Sequence, residues 1–337
     1  MLYIRADMNN RVATGHMMRC LSIADAASSL GEEVTFLLAD NQALGLIKER
    51  GYQSLVLRTP WDDMEAELNV LRKLIWEHKI GRILVDSYQV TPFYLGELKK
   101  YTEVFYIDDL DAFHYPADAI ICYANYWERF RHKEKYQNTK LYLGMEYIPL
   151  REAFSDCGRK EIKPSAEHLL LLSGGSDPYG ILDGILGKIH RERYRRISVI
   201  CGIYYSNYKQ LCEKYKKDDN VRIYQDVPDV ARFMQEADMA VSAGGTTLYE
   251  LCAIGTPAIS YAFAENQLGN VEKFDEDGLI SYAGDLRKDP VAERIAAFLE
   301  YYGQNREVRQ ERSLRMQELV DGKGALRIAE ALMERLE

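Results

Sequence analysis

His16 stands in the segment RVATGHMMRC (11–20), after the Thr14-Gly15 turn that closes the apolar run LYIRA (2–6) and at the start of a stretch with helical spacing. The junction between a first strand and its helix is where α/β proteins place their chemistry. In the first turn of a helix an imidazolium meets the positive end of the dipole, and Arg19 one turn on opposes it as well. Both favour an imidazole that can serve as a general base. Arg19 is alternatively a handle for an anion. A histidine held only by packing would sit more comfortably inside an element. His78, His114, His132, His168 and His190 have no comparable setting and read as surface or packing residues without metal-ligand spacing.

Two glycine turns offer a different chemistry. SGGSDP (173–178) follows a strongly apolar run and precedes a helix-like segment, so Gly174 and Gly175 could let backbone amides approach a phosphate. Such turns are often only turns. SAGGTTLYE (242–250) repeats the device with Gly245, Thr246 and Thr247, and a pair of such turns is more credible as a diphosphate site. Glu250 lies about one and a half helical turns after Gly245 and could accept both hydroxyls of a ribose, although a lone helix glutamate more often faces solvent. In AENQ (264–267), Asn266 and Gln267 offer donors and acceptors for sugar hydroxyls or amides, with Asn266 alternatively a helix cap. DSY (86–88) and DD (108–109) put acids and Tyr88 at two strand ends, where Asp also commonly caps the next element. There is no G-x-S-x-G elbow and no Walker loop, and the first loop lacks G-x-G-x-x-G, which disfavours a dinucleotide dehydrogenase.

These residues need strands to carry them. Apolar runs at 2–6, 34–38, 54–57, 82–86, 104–108 and 119–122 alternate with helix-patterned stretches such as 64–79. Gly31, Gly51 and Gly81 are placed to cap the helices before them. A polar stretch, 155–167, reads as a linker, after which runs at 168–173, 196–201, 221–224, 239–242 and 258–262 restart the alternation. Residues 289–336 read as helical. The expectation is α/β: a Rossmann-like doubly wound domain over 1–155, and a second over 156–337 that includes the terminal helices, with a cleft between them.

A chain of 337 residues, 47% of them apolar, can fill two cores. A net charge of −9 without a basic run argues against nucleic acid and anionic membrane surfaces as partners. Six cysteines without a C-x-x-C pair suggest free thiols in a reducing cytoplasm, with no disulfide framework, metal or cofactor implied. Met1 leads straight into a strand-like run, so no signal peptide is expected, and no apolar run approaches the ~20 residues of a membrane span.

RADMNNRVATGHMMRCLSIA (5–24) resembles the opening of the PseG family, the UDP-2,4-diacetamido-2,4,6-trideoxy-β-L-altropyranose hydrolases of the pseudaminic acid pathway, whose relatives include the spore-coat polysaccharide proteins SpsG. DSYQ (86–89), YIDDL (106–110), GMEYIPLREAF (144–154), LLSGGSDP (171–178) and SAGGTTLYELCAIGTPAI (242–259) resemble further segments of it. The last of these, with ENQ (265–267), is also similar to MurG, the UDP-GlcNAc transferase of peptidoglycan synthesis. Ala13 stands where the family's first loop usually has glycine.

The resemblance implies a GT-B architecture with UDP held mainly by the second domain. It implies a diphosphate near Gly174, Gly175, Gly245, Thr246 and Thr247, the ribose at Glu250, and the sugar near Gly15, Tyr88, Asn266 and Gln267, with His16 as catalytic base. The implied reaction is metal-independent hydrolysis of a UDP-linked acetamido sugar with inversion. A glycosyltransferase would share the fold and the nucleotide site and differ in its acceptor. A non-catalytic nucleotide-sugar binder would not need His16.

Overall fold

The computed structural model describes the chain except residues 10–14, 176, 203 and 335–337. It divides into two compact units, Met1–Glu152 with Gly322–Glu337, and Ala153–Asp321.

The first unit runs β1 (Leu2–Ala6), α1 (Gly15–Ser29), β2 (Val34–Leu38), α2 (Leu44–Glu49), β3 (Gln53–Val56), α3 (Leu68–His78), β4 (Arg82–Asp86), α4 (Pro92–Leu98), β5 (Glu103–Ile107), β6 (Ala119–Cys122), α5 (His132–Lys135) and β7 (Lys140–Leu143). Its strands form one parallel sheet in the order β3-β2-β1-β4-β5-β6-β7. β1, β2 and β6 are buried at every residue, as expected of strands covered on both faces. The helical pattern at 64–79 resolves into a 3₁₀ turn, Met64–Glu67, and then α3, which buries Leu68, Leu71 and Ile75 at i, i+3 and i+7. Each such side chain contributes about 1.5–3 kcal/mol. α4 starts at Thr91, whose hydroxyl accepts from Tyr94 N, with Pro92 as the first helical residue. Arg5 is fully buried in β1, bound to both carboxylate oxygens of Glu67 at 2.7 and 2.8 Å and to Asp7 at 2.5 Å. Asp7 in turn accepts from Ala39 N. This network ties the chain leaving β1 to the neighbouring loops.

The second unit runs β8 (His168–Leu172), α6 (Ile181–Lys188), β9 (Arg196–Cys201), α7 (Tyr208–Tyr215), β10 (Val221–Gln225), α8 (Val230–Glu236), β11 (Met239–Ala243), α9 (Thr247–Ile254), β12 (Ala258–Ala262), α10 (Glu265–Glu276), β13 (Ile280–Asp285), α11 (Val291–Gln304) and α12 (Arg306–Leu319). Its parallel sheet has the order β10-β9-β8-β11-β12-β13.

Three sequence expectations need correction. The last helix, α13 (Gly324–Met333), packs against α1 of the first unit and not with the second half, burying its Ile328 and Leu332 face. The left-handed residue after α3 is Lys79 (φ 50°), not Gly81, whereas Gly31 and Gly51 do take positive φ. Strands β7 and β13 lie outside the apolar runs of the sequence, one being short and half-buried and the other ending in Gly284-Asp285.

Candidate active site

In doubly wound sheets the ligand crevice opens where strand order reverses, at the carboxyl ends of the two strands that flank the reversal. In the first unit those strands are β1 and β4, and in the second β8 and β11. The segment after β1 leads to His16, and β4 ends in Asp86. β8 is followed by Gly174-Gly175 and β11 by Gly244-Gly245.

Around His16 the geometry is dense. Nδ1 lies 2.6 Å from Asp86 Oδ1 and 3.0 Å from Arg19 Nη2. A carboxylate only accepts and a guanidinium only donates, so Nδ1 can serve one of them. The shorter, charge-assisted contact assigns the proton to Nδ1, donating to Asp86 and leaving Nε2 as an acceptor. Arg19 binds Asp86 through Nε and Nη2, each at 2.5 Å. Its Nη1 donates to Asp109 Oδ2 at 2.8 Å and to the Tyr123 hydroxyl. Arg19 therefore directs four of its five N–H groups to partners inside the unit, which opposes its reading as a handle for an anion. Cys20 Sγ donates to Asp86 Oδ2 at 3.4 Å.

Tyr88 stands edge-on to the imidazole, ring centroids 4.4 Å apart at 79°, and its hydroxyl donates to Asp109 Oδ2 at 3.0 Å. Burial pushes the Asp86 carboxyl up, but Arg19 and then His16 outweigh it and hold the group well below the usual carboxylate range. Burial, and then Asp109, push the Tyr88 phenol up. Gly15 opens α1, exposed, while Ala13 and Thr14 lie outside the described residues.

In the second unit the two glycine turns differ. After β8, helix α6 starts only at Ile181, and both carboxylate oxygens of Asp177 accept its first amides, from Ile181 N at 2.9 Å and Leu182 N at 3.0 Å. The helix start is thus already capped, and exposed Gly174-Gly175 would have to meet a ligand through the turn itself; Ser176 lies outside the described residues. After β11, α9 begins directly at Thr247, and the amides of Gly245, Thr246 and Thr247 find no acceptor among the described residues. That is the arrangement of an anion-binding helix N-terminus.

Glu250 sits half-buried in the first turns of α9. Gln267 Oε1 accepts from Phe263 N at 3.0 Å, so Gln267 closes the start of α10, and exposed Asn266 is not its cap. Asn270 joins the two helices, donating to Gly244 O at 3.0 Å and paired with the Tyr249 hydroxyl at 2.8 Å. A Cβ on Gly244 would lie 2.2 Å from Val271 Cγ1, and one on Gly202 would lie 2.2–2.3 Å from the carbonyl oxygens of Gly174 and Gly175. Gly202→Ala is accordingly expected to lose about 1–3 kcal/mol in urea unfolding by pushing the first turn off its seat.

Among the described residues one group has metal-ligand spacing: Asp108, Asp111 and His132. Its chemistry fits a structural pair better. His132 Nε2 lies 2.9 Å from Asp108, Lys135 occupies Asp111 Oδ1 at 2.5 Å, and buried His132 Nδ1 has no acceptor, unlike the outer nitrogen of a metal-bound imidazole. His132 and His168 are both buried packing residues. Sequence reasoning missed Tyr123 and Cys20. Tyr123 follows the strand run AIIC and could have been found by the strand-end rule, whereas nothing local marks Cys20.

Comparison with known proteins decides the architecture. The Acinetobacter baumannii MurG structure superposes with a TM-score of 0.72 at 11% identity, covering 99% of each chain. The fold is GT-B. The model for the family "Glycosyl transferases group 1" matches residues 184–314, within the second unit. The uncharacterized protein MJ1062 of Methanocaldococcus jannaschii is 20% identical over 270 residues, 76% of this chain and 54% of that one. The Bacillus subtilis spore coat polysaccharide biosynthesis protein SpsG is 26% identical over 146 residues, 42% of this chain and 43% of that one. The chain thus spans about half the length of these two relatives. No described helix is long and apolar enough to cross a membrane.

Proposed function

We propose that the protein hydrolyses a UDP-linked acetamido sugar in surface-polysaccharide biosynthesis, with His16 as general base. One observation carries the reading: His16 Nδ1 is held at 2.6 Å by Asp86, which fixes the ring and leaves Nε2 as the proton acceptor. The nucleotide reading draws on the free amides of Gly245, Thr246 and Thr247 for the diphosphate, with Gly174 and Gly175 beside it and Glu250 for the ribose. Asn266, Gln267, Gly15 and Tyr88 are proposed for the sugar. The similarity to SpsG supports the polysaccharide context.

In the proposed step a water gives a proton to His16 Nε2 and its oxygen bonds to the anomeric carbon. The bond from that carbon to the phosphate oxygen breaks, and UDP leaves with the electron pair. The sugar is released with inverted anomeric configuration. A diphosphate is a good leaving group, and amides at a helix start stabilise its growing charge.

The match to the group 1 transferase model favours a second reading, in which a sugar hydroxyl takes the place of water. The test is UDP release from a panel of UDP-acetamido sugars without acceptor. Rapid release with free sugar as co-product supports hydrolysis. UDP binding without release favours the transferase, and absence of UDP binding overturns both. Gly202→Ala is expected to weaken UDP binding about tenfold in calorimetric titration, because the displaced turn borders the nucleotide site.

A further inference from the structure

Among the described residues, the charges hydrogen-bonded around His16 do not cancel. From α1 come Arg19 and Cys20, from the end of β4 and the loop behind it Asp86 and Tyr88, from the loop after β5 Asp109, and from the loop after β6 Tyr123. Burial pushes the Cys20 thiol and the Tyr88 and Tyr123 phenols up, so all three stay neutral. Arg5, Glu67 and Asp7 form a network of their own, and Asp108 pairs with His132, so none of them hydrogen-bonds to His16, Asp86, Arg19 or Asp109. Among the described residues, the hydrogen-bonded set around His16 holds one guanidinium against two carboxylates. Asp86 and Arg19 alone would be neutral, and Asp109 is the surplus. Its Oδ1 is buried without a hydrogen-bond partner among the described residues, while its Oδ2 takes both Arg19 and Tyr88.

We propose that Asp109 is a positioning residue that acts through Arg19 and Tyr88 and supplies the second carboxylate of the hydrogen-bonded set around His16. A second carboxylate held behind Arg19 can offset positive charge that develops on the base during the proton transfer, without touching the substrate. The same residue orients the pocket, since one oxygen fixes both the guanidinium that grips Asp86 and the phenol that stands edge-on to the ring. The inference rests on the reading of His16 as the base.

The experiment compares Asp109→Asn with Tyr123→Phe. Both alter a partner of the same Arg19 Nη1, but only the first removes charge. The His16 ring titration is followed by NMR, and kcat/KM for UDP release is measured against pH. Asp109→Asn is expected to move the imidazole midpoint and the acidic limb of the profile to lower pH by about half to one unit, and to lower kcat about tenfold. Removing a carboxylate makes the imidazolium harder to form, which sets that direction. Tyr123→Phe is expected to leave the midpoint in place.

An unmoved midpoint in Asp109→Asn, or an equal displacement in Tyr123→Phe, would overturn the proposal. Should Asp109→Asn fail to fold, Asp109→Ser, which also drops the charge, is read the same way. The ring titration needs no substrate. A wild-type protein that releases no UDP would therefore sink the hydrolase reading while the charge balance is still judged.

Discussion

Replacing His16 with glutamine is expected to lower the rate of UDP release about 10²–10⁴-fold while leaving the affinity for UDP nearly unchanged. The proposed nucleotide contacts are backbone amides after β11 and the turn after β8, none of which involves the imidazole. The proposed base is the ring nitrogen left unbound when Nδ1 donates to Asp86. Glutamine can keep a hydrogen bond to Asp86 and roughly fill the space, but its amide has no basic nitrogen at neutral pH. The loss should fall on kcat, because the proton moves only in the transition state. Steady-state kinetics with calorimetric UDP titration checks this. A raised KM with unchanged kcat would move His16 from catalysis to binding.

Asp86→Asn should produce the second large effect, in both activity and stability. Asp86 is 1% exposed and holds three partners: His16, both gripping nitrogens of Arg19, and Cys20. Removing one member of a buried ion pair strands the other charge. Asp109 still compensates Arg19 in part, so a loss of about 3 kcal/mol is expected at neutral pH. An asparagine amide can also donate to Nδ1, which shifts the ring proton to Nε2 and blocks the base. A fall in kcat of about 10³–10⁴-fold is expected from that tautomer reversal.

The stability gap should depend on pH. A carboxyl depressed on folding stabilises the native state above its unfolded value of about 3.9, and that contribution is lost as pH falls through the folded value. The difference between wild type and Asp86→Asn should therefore be full at pH 7 and shrink below about pH 4. Urea unfolding at pH 7, 4 and 3 measures it. A gap that is constant with pH would mean that packing, not charge, stabilises the site.

Much of this molecule can be read without its structure. The alternation of apolar runs and amphipathic stretches specifies two parallel-sheet units, because strands buried on both faces must be apolar throughout. Glycine turns and a lone histidine after strand ends mark the loops proposed to carry chemistry, because helix starts and strand ends leave backbone groups unpaired. The acids of DSY and DD were visible as strand-end residues, but their roles were not.

Tertiary structure alone decided their partners. Asp86 and His16 are 70 residues apart, and they meet because β4 lies beside β1 while β2 and β3 turn the other way. Strand order is set by the direction of each crossover, which leaves no periodic mark in the chain. For the same reason the sequence did not show Arg19 bound by Asp86, Asp109 and Tyr123, or Asp177 capping the start of α6. It also did not show the return of α13 to the first unit. Each of these is a hydrogen bond or packing contact between elements, and local residue patterns specify the elements but not their neighbours.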